Sequence, residues 1–115
     1  MRRGDIHLVD LDPTQGSEAN KTRPAVIVSN DAANAVAART GRGVVTVVPI
    51  TSNTDRIFPF QVLLPVACGL AVASKAQAEQ VRSVATTRIR KRIGRVTPEL
   101  LTRIDEALRI HLSLG

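Results

Sequence analysis

The 115-residue sequence predicts a β-rich α+β domain, built toward a small barrel. Three observations carry that reading. Short β-branched apolar runs recur along the chain, with "VVTVVPI" at Val44–Ile50 the strongest. Turn formers punctuate those runs. One well-capped amphipathic helix ends the chain, so the strands come first and the helix last.

The elements follow in order. Ile6–Leu11 alternates imperfectly and reads as a first strand, closed by the turn-rich "DLDPTQG". Gly16–Thr22 is a polar loop. Pro24 has no N–H to give and suits a strand start, and Ala25–Ser29 is a short apolar strand. The alanine-rich Asn30–Gly43 reads as a short helix or an irregular excursion. After strand Val44–Ile50 comes the loop "TSNTDR", then a strand over Phe58–Leu64, "FPFQVLL". "PVACGL" turns the chain. Val72–Val84 is ambiguous, and the alternation in "EQVRSV" favours a strand there. Ile89–Val96 reads as a short basic strand. Thr97 is a good N-cap, Pro98 stands where its missing donor costs nothing, and Glu99 complements the helix dipole. Leu100, Leu101, Ile104, Ala107, Leu108, His111 and Leu112 recur at helical spacing, giving a helix from Pro98 to about Ser113. No internal repeat or linker divides the chain, so 1–115 reads as one domain.

Composition narrows the function. The net charge is +6, which points to an anionic partner, nucleic acid before a membrane surface. From Gln80 to Pro98 there is no acid, while Arg82, Arg88, Arg90, Lys91, Arg92 and Arg95 all fall there. That segment is either a solvated basic face or a docking surface. The single cysteine, Cys68, excludes an internal disulfide and a thiol metal cluster. No signal peptide opens the chain, and no apolar run approaches the roughly 18 residues of a spanning helix. These features predict a cytoplasmic protein. Phe58 and Phe60 are the only aromatic residues, and Phe60 reads as core.

Metal, nucleotide-loop and serine-triad chemistry find no support in the spacing of residues. His111 falls on the apolar stripe of the last helix and reads as packed. His7 reads as a surface or edge histidine whose near-neutral pKa leaves proton transfer open. What remains is arginine, glutamate and threonine at strand ends, a set suited to phosphoryl chemistry on RNA. RNA carries its own nucleophile, the 2′-OH. An enzyme then needs a proton acceptor, a proton donor for the leaving 5′-oxygen, and cations or donors for the charge on phosphorus. Arg23 can bind phosphate oxygens bidentately. Thr51 can donate its hydroxyl to the same group, and Glu18 can accept a proton or hold Arg23. Each also has an ordinary reading: a strand-start arginine, a strand-end cap and a solvated loop acid.

The segments "RRGDIHLVDLDPTQGSEANKTRPAVIVSND", "VVTVVPITSN", "FPFQVLL", "AEQVRSV" and "LLTRIDEALRIHLSL" resemble, in order and spacing, the MazF/PemK family of type II toxin endoribonucleases. The resemblance spans Arg3 to about Leu114 and is greatest to actinobacterial members. It implies the SH3-like small barrel shared by MazF and CcdB toxins, with a C-terminal helix and a homodimer. It implies metal-independent, sequence-specific cleavage of single-stranded RNA (mRNA, or tRNA and rRNA), with no cofactor. The products would be 2′,3′-cyclic phosphate and 5′-hydroxyl ends. The implied partner is a cognate MazE-like antitoxin whose acidic segment lies across the RNA groove. By position, the family's catalytic pair falls on Arg23 and Thr51, and the acid of its GSE motif on Glu18. Lys21, Asn30, Ser52, Gln80, Arg82 and Ser83 would touch RNA, with Arg82 and Ser83 facing opposite sides of a strand. His7 stands where many relatives carry Trp or Tyr, and Lys75 where many carry an acid. The alternative is a CcdB-like DNA gyrase poison without catalysis, since one barrel can host both functions.

Overall fold

The computed structural model describes residues 1–11 and 22–115. Seven antiparallel strands form the body: β1 (Asp5–Asp10), β2 (Thr22–Ile27), β3 (Val44–Thr51), β4 (Gln61–Leu64), β5 (Ser74–Gln77), β6 (Arg82–Ala85) and β7 (Ile89–Arg95). Their order is β4-β5-β3-β2-β1-β7, with β6 also on β3. β3 is therefore shared. One edge meets β2; the other meets β6 along Val44–Val47 and β5 at Ile50–Thr51. Helix α1 (Asp31–Thr40) follows β2, and α2 (Pro98–Leu112) closes the chain.

Alternation along the strands fills two cores. Ile6, Val26, Val48, Ile50, Val62 and Leu64 point to one side, where Ile104 and Ala107 of α2 cover them. Val9, Ala25, Ile27, Val45, Val47 and Val84 point to the other, with Ala37 of α1. This is the period of a sheet buried on both faces. The excursion after β2 is a true helix because Asn30 caps it, accepting from the Ala33 N–H at 2.8 Å, and Gly41 ends it at φ 65°. Fully buried Asn34 donates to the Ser29 carbonyl at 2.8 Å, and the Ser29 hydroxyl accepts from the Thr46 N–H at 3.1 Å. α1 is thus tied to β3 by satisfied polar groups. α2 starts on Thr97, whose hydroxyl accepts from the Leu100 N–H at 3.2 Å. An Arg3–Asp105 ion pair fastens it to the N-terminus, and the same arginine donates to the Val28 carbonyl at 2.9 Å.

The two ends of the strand path meet without hydrogen bonding. β4 runs into a short 3₁₀ turn (Val66–Cys68) ending at Gly69, φ 102°. That turn lies directly against Gly94 of β7. A Cβ on Gly94 would stand 1.7 Å from the Cys68 carbonyl oxygen, and one on Gly69 would stand 2.2 Å from the Ile93 carbonyl oxygen. Backbone packed on backbone here closes the sheet toward a barrel.

Four expectations are corrected. The strand expected over Phe58–Leu64 begins only at Gln61. The Gln61 N–H donates to the Phe58 carbonyl at 2.9 Å and the Gln61 side chain accepts from the Phe58 N–H at 3.1 Å. Pro59 cannot donate to a ladder, so this stretch turns instead. Phe60 belongs to neither core; it is half-buried and stacks on Phe58. His111 is exposed, because the last turn of α2 runs past the sheet. His7 is buried at 8% exposure, since β1 is flanked on both edges. Its Nδ1 lies 2.9 Å from the Arg90 carbonyl, and the β1–β7 register shifts on both sides of it.

The acid-free basic segment also gains acids from its neighbour. Asp10 of β1 pairs with Arg90 at 2.7 Å, and Asp5 faces Arg92 at 3.3 Å and Arg95 at 3.8 Å. Burial opposes the Asp5 charge, but the Arg2 N–H at 2.9 Å and the two guanidiniums outweigh it and hold the carboxyl below its ordinary range. Folded protein therefore binds this proton at lower pH than unfolded chain does. The stabilisation is present above the ordinary aspartate pKa and is lost as pH falls through the depressed one. Asp5→Asn is expected to cost about 1.5–3 kcal/mol at pH 7. The gap from wild type should shrink below roughly pH 4, as denaturant melts at both pH values would read.

Candidate functional site

Arg23 is the second residue of β2 and is exposed. Thr51 ends β3 and is half-buried. The β2–β3 register, Ala25 opposite Pro49, brings Arg23 level with Thr51 two residues farther along each strand. Residues level across a sheet share a face. Both line one cleft of about 300 Å³, with Ser52 beside them and Leu8, Ile50, Leu70 and Ile93 among its apolar walls. A cation and a hydroxyl stand at the mouth of a largely apolar cleft, where low local dielectric strengthens their hold on an anion.

The Thr51 hydroxyl is oriented. Its oxygen accepts from the Asn53 N–H at 3.3 Å, which leaves the hydroxyl proton to be donated outward. Asn53 in turn accepts from the Asp55 N–H at 3.2 Å, so the loop after Thr51 is built on successive side-chain turns. On the other edge of β3, Thr51 is paired with Lys75 of β5. Lys75 is 7% exposed, and its Nζ donates to the Arg56 carbonyl at 2.7 Å.

The other expected residues fall elsewhere. Glu18 and Lys21 lie outside the described residues. Asn30 is exposed but spends its side-chain oxygen capping α1, and it is not among the residues lining the cleft. Gln80 ends a 3₁₀ turn (Ala78–Gln80), so the strand favoured by the alternation in "EQVRSV" begins only at Arg82. Arg82 and Ser83 are exposed on β6, opposite Val47 and Thr46. They take opposite faces of the sheet. Arg82 is on the Thr51 face, four strand residues or about 13 Å away. The cleft therefore joins Arg23, Thr51 and Ser52, with Arg82 farther along the same face. Leu70 and Ile93, which wall the cleft, carry no sequence signal for a site. They reach it only through the Gly69–Gly94 contact.

Among the described residues, no three of His, Cys, Asp and Glu are grouped to hold a metal ion. No described helix is long and apolar enough to cross a membrane.

The comparisons with known proteins agree with one another. The family model of the PemK-like, MazF-like toxins of type II toxin–antitoxin systems matches residues 2–112. Endoribonuclease MazF9 of Mycobacterium tuberculosis is 62% identical over 115 residues, covering 99% of this chain and 98% of that protein. A mycobacterial endoribonuclease solved with its cognate antitoxin has a similar fold, with TM-score 0.79 and 24% identity over 100% of this chain and 97% of that one. So does MazF from Deinococcus radiodurans, with TM-score 0.79 and 24% identity over 99% and 97% of the two chains. With nearly its whole length matched and Arg23 and Thr51 set together in one cleft, the chain belongs to the PemK-like, MazF-like toxins of type II toxin–antitoxin systems.

Proposed function

We propose that this chain is a metal-independent endoribonuclease that cuts single-stranded RNA at specific sequences and so inhibits translation and growth. The observation that carries the reading is the level placement of Arg23 and Thr51 in one cleft. The 62% identity to a relative named as an endoribonuclease supports it. In the proposed reaction the 2′-oxygen attacks the adjacent phosphorus as its proton passes to an acceptor, for which Glu18 is the candidate. The P–O5′ bond breaks and the 5′-oxygen takes up a proton. Arg23 holds the non-bridging oxygens and Thr51 donates to them as charge builds. The ends are a 2′,3′-cyclic phosphate and a 5′-hydroxyl.

The chain acts as a single toxin domain in the cytoplasm and pairs with a second copy. Exposed apolar side chains at Ile110 and Leu112 in the last turn of α2 and at Leu114 just past it, at 55%, 49% and 58%, support that pairing. Its antitoxin is MazE-like, with an acidic segment suited to a chain of net charge +6. Incubating the protein with long RNA in EDTA should yield discrete fragments whose new 5′ ends accept phosphate from a kinase without prior dephosphorylation. Intact RNA, or cleavage only on adding a divalent ion, would overturn the proposal.

A further inference from the structure

The chain has two aromatic residues in 115, and it places neither in a core. Phe58 and Phe60 stack with centroids 5.2 Å apart and planes 4° from parallel. The exposed Arg56 guanidinium lies over the Phe58 ring, 4.9 Å from its centre. Aromatic rings carry the largest apolar payload a small core could use. Here they stand in the loop between β3 and β4, half-buried, with a planar cation at the outer end.

The loop's position ties this stack to the cleft. Thr51 and Lys75 are register partners, so their side chains leave the same face of the sheet. Lys75 reaches up from that face to hold the Arg56 carbonyl. The Arg56 end of the loop therefore lies over the face that carries Arg23 and Thr51. It is clamped near its start by the Asn53 N–H on Thr51 and farther on by Lys75. A buried lysine is a costly clamp for a loop with no task.

We infer that Arg56, Phe58 and Phe60 form a stacking platform for a nucleobase of the RNA strand, next to the nucleotide whose phosphate Arg23 and Thr51 hold, with Lys75 as the positioning residue. A guanidinium plane on an aromatic ring offers a base both a flat face and a cation for the neighbouring phosphate. The inference rests on the ribonuclease reading and adds where a base adjoining the cut is held.

The test uses the full chain and an RNA oligonucleotide made uncleavable by a 2′-deoxy sugar at the cut. 2-Aminopurine is moved through successive positions. Wild type should quench it most at one position near the cut. Phe58→Leu, which keeps apolar bulk but removes the ring, should bind roughly 5- to 150-fold more weakly, the range for one lost base stack. It should lose that quench, and on cleavable RNA it should relax base preference at that position alone. Arg56→Ala, on an exposed residue, carries the same expectation should Phe58→Leu fail to fold. Lys75→Met should broaden the same base preference while leaving the others sharp. Variants that bind and cut as wild type does would remove the platform and leave the ribonuclease reading intact. Variants that lose only binding of an acidic antitoxin peptide would also overturn it. Wild type that neither binds nor cuts RNA would remove both readings.

Discussion

Arg23→Ala is expected to slow RNA cleavage by roughly 10³-fold, the scale for losing one donor aimed at developing transition-state charge. The fold should survive, because Arg23 is exposed at the second residue of β2 and belongs to neither core. Its level placement with Thr51 makes the loss specific. The non-bridging phosphate oxygens lose their cation while the hydroxyl donor stays oriented by the Asn53 N–H. Arg23→Lys keeps the charge but not the bidentate fork, so it should recover only part of the rate. Single-turnover appearance of 5′-hydroxyl ends measures the rate, and thermal melting checks the fold. Cleavage at the wild-type rate by a folded Arg23→Ala protein would strip this residue of its role. A parallel loss of melting temperature would make the effect structural.

The strand-end positions of Arg23 and Thr51 were legible because their signal is local. Arg23 precedes a proline and an apolar run, and Thr51 ends the strongest β-branched run, so neighbouring residues alone mark each as a strand end. The helix α2 was legible for the same reason, through Thr97 and Pro98. What periodicity could not show depends on which strands become neighbours. His7 reads as an edge residue until β1 is flanked by β2 and β7. The basic segment reads as uniform until Asp5 and Asp10 arrive from β1. Nothing around Lys75 in the sequence marks it as buried, which follows only once its amine reaches the Arg56 carbonyl of the loop after Thr51. Phe58–Leu64 alternates like a strand, and only the missing donor of Pro59 argues against one. For His7, the basic segment and Lys75 the deciding contact spans a large sequence separation, where single-sequence patterns carry no information.

Gly94→Ala should be the most damaging conservative change in the fold. Gly94 does not need a left-handed backbone, so the substitution isolates space from conformational strain. The space is absent. The new methyl would sit 1.7 Å from the Cys68 carbonyl oxygen and 2.9 Å from Gly69 Cα. A flexible side chain could move away, but these are backbone atoms of a 3₁₀ turn, so β7 and the turn must separate. That opens the contact between the two ends of the strand path, loosening Cys68, Leu70 and Ile93. The expected cost is about 3 kcal/mol or more, at the upper end for overpacking. That is a large part of a typical domain's stability and a fall in Tm on the order of 10–20 °C. Cys68 supplies an independent readout. Burial pushes its thiol up and keeps it inert, although a hydrogen bond with the Thr97 backbone works the other way. Separation of β7 from the turn should therefore speed its reaction with a thiol reagent under native conditions. Gly43→Ala is the control. It meets no atom within 4 Å and carries only the strain of its φ of 91°, so it should melt well above Gly94→Ala and leave Cys68 protected. Leu70 and Ile93 also wall the cleft beside Arg23 and Thr51, so the surviving folded fraction of Gly94→Ala should bind RNA more weakly. A Gly94→Ala protein that melts within a degree or two of wild type, with Cys68 still unreactive, would show that the barrel does not close through this contact.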